Sequence, residues 1–323
     1  MLKTKFAGLA LKNPLIVGSS GLTGSAQKNK KLEDAGVGAV VLKSLFEEQI
    51  LMQGDELMQS SDFPGASDYI RSYVKANLIE KYLSLISETK AACTIPVIAS
   101  VNCYHAGSWT EFAKRIEDAG ADALELNVYY LCTDLNVTVN QIQELYISIL
   151  EKVRGHLTIP VTMKIGKVNG NIPRLAHQMH IHGAKGVVLF NRFYCPDIDI
   201  DKISVISGDV FSSASDLSDT IRWTALVSSI VPAISIASSC GIYQWQDVIK
   251  CLLAGAHAVQ ICSLLYKNGI EVIPELLKGI EGWMEKKKYR AISEFRGVLS
   301  ASRAEDPSLY ERSQFMKYFS DKK

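Results

Sequence analysis

The stretch LELNVYYLC, Leu124 to Cys132, starts as an apolar strand and ends in groups that do chemistry. Asn127 can grip a planar polar ligand, since its amide both donates and accepts hydrogen bonds. Tyr130, with an ordinary pKa near about 10, is a poor base at neutral pH but a reasonable acid. Cys132 is a candidate base or nucleophile. Two lysines close apolar runs in the same way, Lys43 in VVLKS and Lys164 in VTMKIG. An ammonium at a buried strand end is costly without a partner. The pair therefore points to something anionic or electron-rich between them, or to structural pairing with a carboxylate such as Glu125. Ser19, Ser20, Ser44, Asn102, Asn191 and Ser263 occupy comparable positions. Carboxylates and histidines do not converge with them, which argues against magnesium chemistry and glycosidase acid–base pairs. In HQMHIH, His177 and His180 share a helix face, but no third ligand is evident, so no metal is expected.

These residues need elements to hold them, and the chain repeats one phrase that supplies such elements. AGVGAVVLKS starts at Ala35, AGADALELNV at Ala119, HGAKGVVLFN at His182 and AGAHAVQICS at Ala254. Each reads as a helix end, a glycine cap, a turn and a buried strand. TIPVIASVN from Thr94, TIPVTMKIG from Thr158 and PAISIASS from Pro232 use proline for the same stop. With PLIVGSS from Pro14, eight strands are predicted, at about 15–20, 39–44, 96–101, 123–128, 160–165, 186–191, 233–239 and 258–263. Their near-continuous apolar character fits a parallel sheet buried on both faces. Amphipathic helical segments such as WTEFAKRIEDAG separate them. Eight βα units predict a (β/α)8 TIM barrel over residues 1–323 as a single domain. A doubly wound open sheet is the alternative, but no GxGxxG turn follows the first strand. The connections 46–77 and 192–217, after the second and sixth strands, are long enough to cover the C-terminal face; otherwise they are tolerated surface insertions. Residues 302–323 form a C-terminal extension whose aromatic residues favour docking. The small residues of SSCGIYQWQD and CSLLYKNG, each leading into a helix, suit a phosphate cradle.

Composition narrows the class. The chain has 323 residues, 47% of them hydrophobic, with a net charge of +1. No basic excess matches a nucleic-acid backbone, and the run KKKYR at Lys286 reads as a solvated helix end. Seven cysteines, an odd number without CxxC spacing, suit free thiols in a reducing compartment. VSSIVPAISIA is too short and too polar to span a bilayer, and the first residues do not read as a signal peptide. A soluble cytoplasmic protein with a small-molecule substrate is expected.

In order and spacing, these motifs resemble the dihydroorotate dehydrogenase family, especially its soluble class. The resemblance is carried by FAGLALKNPLIVGSSG, VVLKS, ELN, MKI, CGI, GAHAVQICS and the late KKKYRAISEFRGVL. It implies an FMN-binding barrel that removes hydride and proton from adjacent carbons of a pyrimidine precursor. By position, Ser19 or Ser20, Lys43, Ser44, Asn102, Asn127 and Lys164 would line the isoalloxazine. Lys164 would lie at its N1–C2 edge and favour reduced flavin. Gly241 and Ser263 would hold the phosphate, and Asn127 and Asn191 the substrate. A homodimer is implied, with fumarate or, through a partner subunit, NAD as oxidant.

The chain also departs from that pattern. In NVYYLCTD, Tyr130 stands where the family has its cysteine base, and Cys132 lies two residues further on. The asparagine-rich substrate loop is replaced by MQSSDFPGASDYI, and expected phosphate-site glycines appear as FSSASDLS, Cys240 and Cys262. The expected function is FMN-dependent CH–CH redox chemistry on a small pyrimidine-like substrate, with Tyr130, Cys132 and Lys43 as catalytic candidates. A true dihydroorotate dehydrogenase and a non-redox barrel that binds a phosphorylated ligand are the alternatives.

Overall fold

The glycines of the repeated phrase sit where a Cβ would be strained. Gly36, Gly120, Gly183 and Gly255 have φ of 112°, 99°, 102° and 122°. Each follows a helix or its last turn, in the left-handed region that glycine enters freely. In the computed structural model, which describes residues 1–46, 67–102, 110–128, 130–167, 170–192 and 194–312, these caps turn the chain into strands of a closed barrel. An antiparallel hairpin, β1 (Thr4–Phe6) and β2 (Leu9–Leu11), comes first. The barrel strands are β3 (Leu15–Val17), β4 (Ala39–Val41), β6 (Val97–Asn102), β7 (Ala123–Asn127), β8 (Val161–Ile165), β9 (Gly186–Leu189), β12 (Ser235–Ser239) and β13 (Ala258–Ile261). A two-residue β5 (Leu45–Phe46) adds to β6. All barrel pairings are parallel, and β13 pairs with β3 while β4 pairs with β6, so the sheet closes. Closure decides for the (β/α)8 barrel and against the open sheet.

The surrounding helices are α1 (Ala26–Ala35), α2 (Ser67–Ala92), α3 (Thr110–Asp118), α4 (Val139–Arg154), α5 (Ile172–Ile181), α6 (Asp216–Ile230), α7 (Trp245–Ala254), α8 (Ser263–Asn268), α9 (Val272–Lys287) and α10 (Ser308–Glu311). Their inner faces, with fully buried Ile116, Tyr146, Leu150 and Met179, form one apolar layer with the outer faces of the strands. A second, smaller core fills the barrel floor. There the β1–β2 hairpin inserts Phe6 among Ile16, Val41, Ile98 and Val188. Gly186 leaves room for it, since a Cβ there would stand 3.1 Å from the Phe6 ring. No described helix is long and apolar enough to cross a membrane.

Two expectations change. The connection after β4 ends earlier than Asn77, because α2 already starts at Ser67; residues 47–66 of it lie outside the described residues. The connection 192–217 contains an antiparallel hairpin, β10 (Pro196–Asp199) with β11 (Ser204–Ser207), and α6 begins within it at Asp216. The two strands pair residue by residue from Pro196 opposite Ser207 to Asp199 opposite Ser204. The C-terminal extension packs on its own barrel as far as it is described. The Ser302 amide donates to Ser229 Oγ at 2.9 Å, and the Tyr310 hydroxyl donates to the Leu299 carbonyl at 2.7 Å.

Two glutamates bind neighbouring units to each other. Glu33, at the end of α1, accepts from the amides of Thr94 (2.8 Å) and Ile95 (3.1 Å), from the Thr94 hydroxyl (2.7 Å) and from Lys30 (2.9 Å). Glu117, at the end of α3, repeats the pattern on the Thr158 amide (2.9 Å), the Thr158 hydroxyl and the Ile159 amide (3.0 Å). Burial disfavours both charges, but these donors outweigh it and hold each carboxyl down at about 2. A carboxylate depressed on folding stabilises the fold above its unfolded pKa of about 4.3 and loses that contribution as pH falls toward its folded value. Glu117→Gln is therefore expected to cost about 1–3 kcal/mol at pH 7. The difference from the parent should shrink as pH falls from about 5 to 2, which denaturant midpoints measured across that range would check.

Candidate active site

The strand ends that the sequence fills with polar groups converge on one face. A cavity of about 460 Å³ opens there, lined by Ser19, Ser20, Lys164, Asn191, Arg192, Gln260 and Tyr266 together with the loop ends around Ser212, Gly241 and Ser263. Its base is built on β7, β8 and β13. Lys164 Nζ donates to Gln260 Oε1 at 2.9 Å, and Gln260 Nε2 donates to Glu125 Oε2 at 2.6 Å. The three residues are 8%, 2% and 0% exposed. Burial pushes the Glu125 carboxyl up, while the Lys164 charge and the Gln260 hydrogen bond pull it partly back. Glu125 Oε1 is buried without a partner. The expected structural pairing of Lys164 with Glu125 is thus indirect: a neutral amide stands between cation and carboxyl. It takes one of the three ammonium hydrogens of a lysine that also borders the cavity.

Beside Lys164 the register sets out a row of amides. Asn102 lies opposite Asn127, and Asn127 opposite Lys164. Both asparagines are buried, and Asn191 Nδ2 donates to Asn127 Oδ1 at 2.9 Å. On the other side, hydroxyls join β3, β4 and β6. Ser19 Oγ accepts from the Ser44 amide at 2.8 Å, and Ser44 Oγ lies 2.7 Å from Ser100 Oγ. Tyr82, on α2, closes this chain by donating to the Ser100 carbonyl and accepting from its amide, at 2.8 and 2.6 Å. Burial pushes the Tyr82 phenol up, so it stays neutral. Of the sequence set, Ser19, Lys164 and Asn191 line the cavity, while Ser44, Asn102 and Asn127 are buried behind them and do not line it. Lys43 differs from expectation. It is exposed just beyond the end of β4, so among the described residues Lys164 is the buried cation.

The loop ends after β9, β12 and β13 form the outer wall. Cys240 and Gly241 have φ of 79° and 78°. A Cβ on Gly241 would overlap the backbone of Asp216 and Leu217, so this glycine is required by the start of α6. Ser263 Oγ accepts from the Ser212 amide at 3.0 Å and from the Ser212 hydroxyl at 3.1 Å. Arg192 also faces the cavity; its Nη1 pairs with Asp216 at 3.1 Å and its Nη2 donates to the Asp209 carbonyl at 2.9 Å.

Tyr130 and Cys132 stand apart from this wall. They lie on the loop after β7, half-buried, with Leu131 between them 62% exposed. The contact with Cys132, more than burial, pushes the Tyr130 phenol up. Cys132 Sγ also donates to the Asp134 carbonyl at 3.6 Å. Neither is among the described residues that line the cavity.

Sequence reasoning did not single out Gln260, Arg192, Ser212 or Tyr82. The available signal for Gln260 was a lone amide within the apolar strand AVQI. Arg192 carried a weaker one, a cation directly after a strand-end asparagine.

The comparisons with known proteins agree with this geometry. Residues 1–284 match the family model described as dihydroorotate dehydrogenase. The chain is 26% identical over 313 residues to the dihydroorotate dehydrogenase B (NAD(+)) catalytic subunit of Thermoplasma volcanium, covering 92% of this chain and 98% of that protein. It is 28% identical over 311 residues to the protein of the same description from Pyrococcus abyssi, covering 92% and 99%. The corresponding Methanosarcina acetivorans protein is 27% identical over 307 residues, covering 90% and 94%.

The amide bridge at the base of the site has a direct test. Gln260→Leu strands a buried ammonium and a buried carboxyl. It is expected to destabilise the protein by about 3 kcal/mol. Denaturant unfolding measures this, and an unchanged midpoint would contradict the bridge.

Proposed function

The chain belongs to the dihydroorotate dehydrogenase family, oxidoreductases acting on CH–CH donors, and on that premise we propose that it binds FMN in the strand-end cavity and works on a small pyrimidine-like substrate. The observation that carries this reading is Lys164. A buried ammonium with hydrogens to spare, flanked by a row of amides, suits a planar heteroaromatic ring with an electron-rich carbonyl edge. The cavity volume of about 460 Å³ lies within the range of small-molecule and cofactor sites. Ser19, Ser20, Ser44 and Asn102 would border the ring, with Gly241 and Ser263 toward its phosphate end.

Bound FMN supplies hydride exchange with a substrate carbon. The residues supply the rest. Lys164 would hold positive charge at the electron-rich edge of the ring and so favour its reduced form. Asn127 and Asn191, already hydrogen-bonded to each other, orient the substrate ring. Tyr130 carries its proton at neutral pH, as an ordinary phenol does, and the contact with Cys132 pushes it further up. It is therefore proposed as the acid that serves the adjacent carbon, with Cys132 as the neighbour that sets its proton affinity. Lys43, exposed at the same rim, is proposed to meet the polar edge of the substrate.

A homodimer belongs to the same proposal. The β10–β11 hairpin holds Ile198, Ile200, Ile203 and Val205 at exposures of 66%, 83%, 89% and 72%, an apolar surface suited to a second copy. A cytoplasmic setting fits the free cysteines among the described residues.

Purified protein is expected to be yellow, with absorbance bands near about 370 and 450 nm. Colourless protein that cannot be reconstituted with FMN would overturn the assignment and leave a barrel for a phosphorylated ligand. Lys164→Ala is expected to weaken flavin binding or slow flavin reduction, read by absorbance titration and stopped flow. Tyr130→Phe is expected to lower turnover by about 10²–10⁴-fold, the usual weight of a positioned acid or base. If Cys132→Ser shows that loss and Tyr130→Phe does not, the proton roles are reversed.

A further inference from the structure

We infer that Gln260 is a positioning residue for flavin reduction: its neutral amide keeps the Glu125 carboxyl from pairing directly with Lys164, so that the ammonium presents its charge to the cavity. The inference rests on the flavin reading above and deepens it, since it names the residue that governs how strongly the site favours the reduced ring.

Lysines elsewhere in the chain meet a carboxylate directly. Lys30 pairs with Glu33 at 2.9 Å, Lys90 with Asp122 at 2.8 Å and Lys250 with Asp247 at 3.0 Å. Lys164 is more deeply buried than any of them, and a buried charge gains more from a direct partner. Its hydrogen-bond acceptor among the described residues is nevertheless an amide oxygen, Gln260 Oε1, and the carboxyl stands one amide further on.

Gln260 cannot turn round. An ammonium only donates, so the amide must offer it Oε1, and Nε2 is left to donate to Glu125 Oε2. The side chain is 2% exposed, and its Oε1 lies against Gly18, where a Cβ would stand 3.4 Å away. Gln260 comes from β13, Lys164 from β8 and Glu125 from β7. Three strands thus fix three groups in one order: cation, amide, carboxyl.

That order decides the field in the cavity. A carboxylate in contact with the ammonium would cancel most of its charge toward a ligand, and the effect is large where water is excluded. Separated by the amide, Glu125 offsets it less. Cys240 and Cys262 also feel the Lys164 charge, but burial pushes both thiols up, so neither supplies a counter-anion. Asn127, opposite Lys164 in register, is a further neutral amide. Reduction adds negative charge to a flavin ring, and a cation fixed beforehand in a dry site favours that state without rearrangement. A bridge that served cohesion alone would work with amide and carboxyl in either order.

The test therefore exchanges the two groups. Gln260→Glu combined with Glu125→Gln keeps one ammonium, one carboxyl and one amide, but brings the carboxyl onto Lys164. The readout is the midpoint potential of the FMN-loaded protein, from reductive titration against a reference dye. The exchange is expected to shift the ratio of reduced to oxidised flavin at least about tenfold toward oxidised, about 30 mV more negative for a two-electron couple. A smaller shift in a folded exchange variant overturns the inference. Glu125→Gln alone guards against an exchange variant that fails to fold. It removes the carboxyl behind an unchanged spacer and is expected to leave the ratio within about twofold. A larger change overturns the inference as well, because Glu125 would then act through the amide. A parent protein that takes up no FMN overturns the flavin reading itself, whereas parent and exchange variant that both hold FMN at equal potential refute only the role of Gln260.

Discussion

The interior of a small parallel barrel is dry, and this chain places a cation and a carboxyl inside it. The Lys164–Gln260–Glu125 bridge reconciles the two facts. The amide accepts from one side and donates to the other, so neither ionisable group faces apolar surroundings without a partner. It also ties β8, β13 and β7 together across the barrel axis. Everything that borders the ligand end of Lys164 takes its position from those strands: the asparagine row through its register with β8, and the outer loops through β13. The charge on Lys164 is accordingly a property of the barrel as a whole.

The repeated phrase made the barrel legible, because a glycine cap followed by an apolar run has few physical readings. Four caps fall in the left-handed region, and the strands they lead into are the strands observed. Strand-end residues were legible for the same reason, since a parallel barrel sends all its C-terminal ends to one face. Partnerships between distant residues were not. Nothing in AVQI says that Gln260 meets Lys164, 96 positions away. Nothing in EDAG and TIP, each present twice, says that the glutamate of one unit holds the threonine of the next strand's approach. Lys43 and Lys164 read alike in sequence because both end apolar runs; the fold leaves one in solvent and the other in the core. The β10–β11 hairpin was absorbed into a loop because its alternation is short and its isoleucines face solvent.

The site divides into a part fixed by the strands and a part carried by loops. The serine chain, the amide row and Lys164 lie on strand ends, where displacement would break hydrogen bonds to neighbouring strands. Tyr130 and Cys132 lie on a loop. They sit on a half-exposed turn held by its own contacts, and the segment 211–218 leads into α6. Substitution in these places costs little stability, so chemistry at the substrate end can shift while the ring end keeps its geometry.

The glutamate staples and the Phe6 plug lie at the rim opposite the cavity. Cohesion and catalysis are thus assigned to different ends of the same strands. A lineage that inherits such a barrel can exchange its reactive rim residue by residue without renegotiating the fold. Exchange of Tyr130 or Cys132 is, in that light, a change that the architecture leaves open.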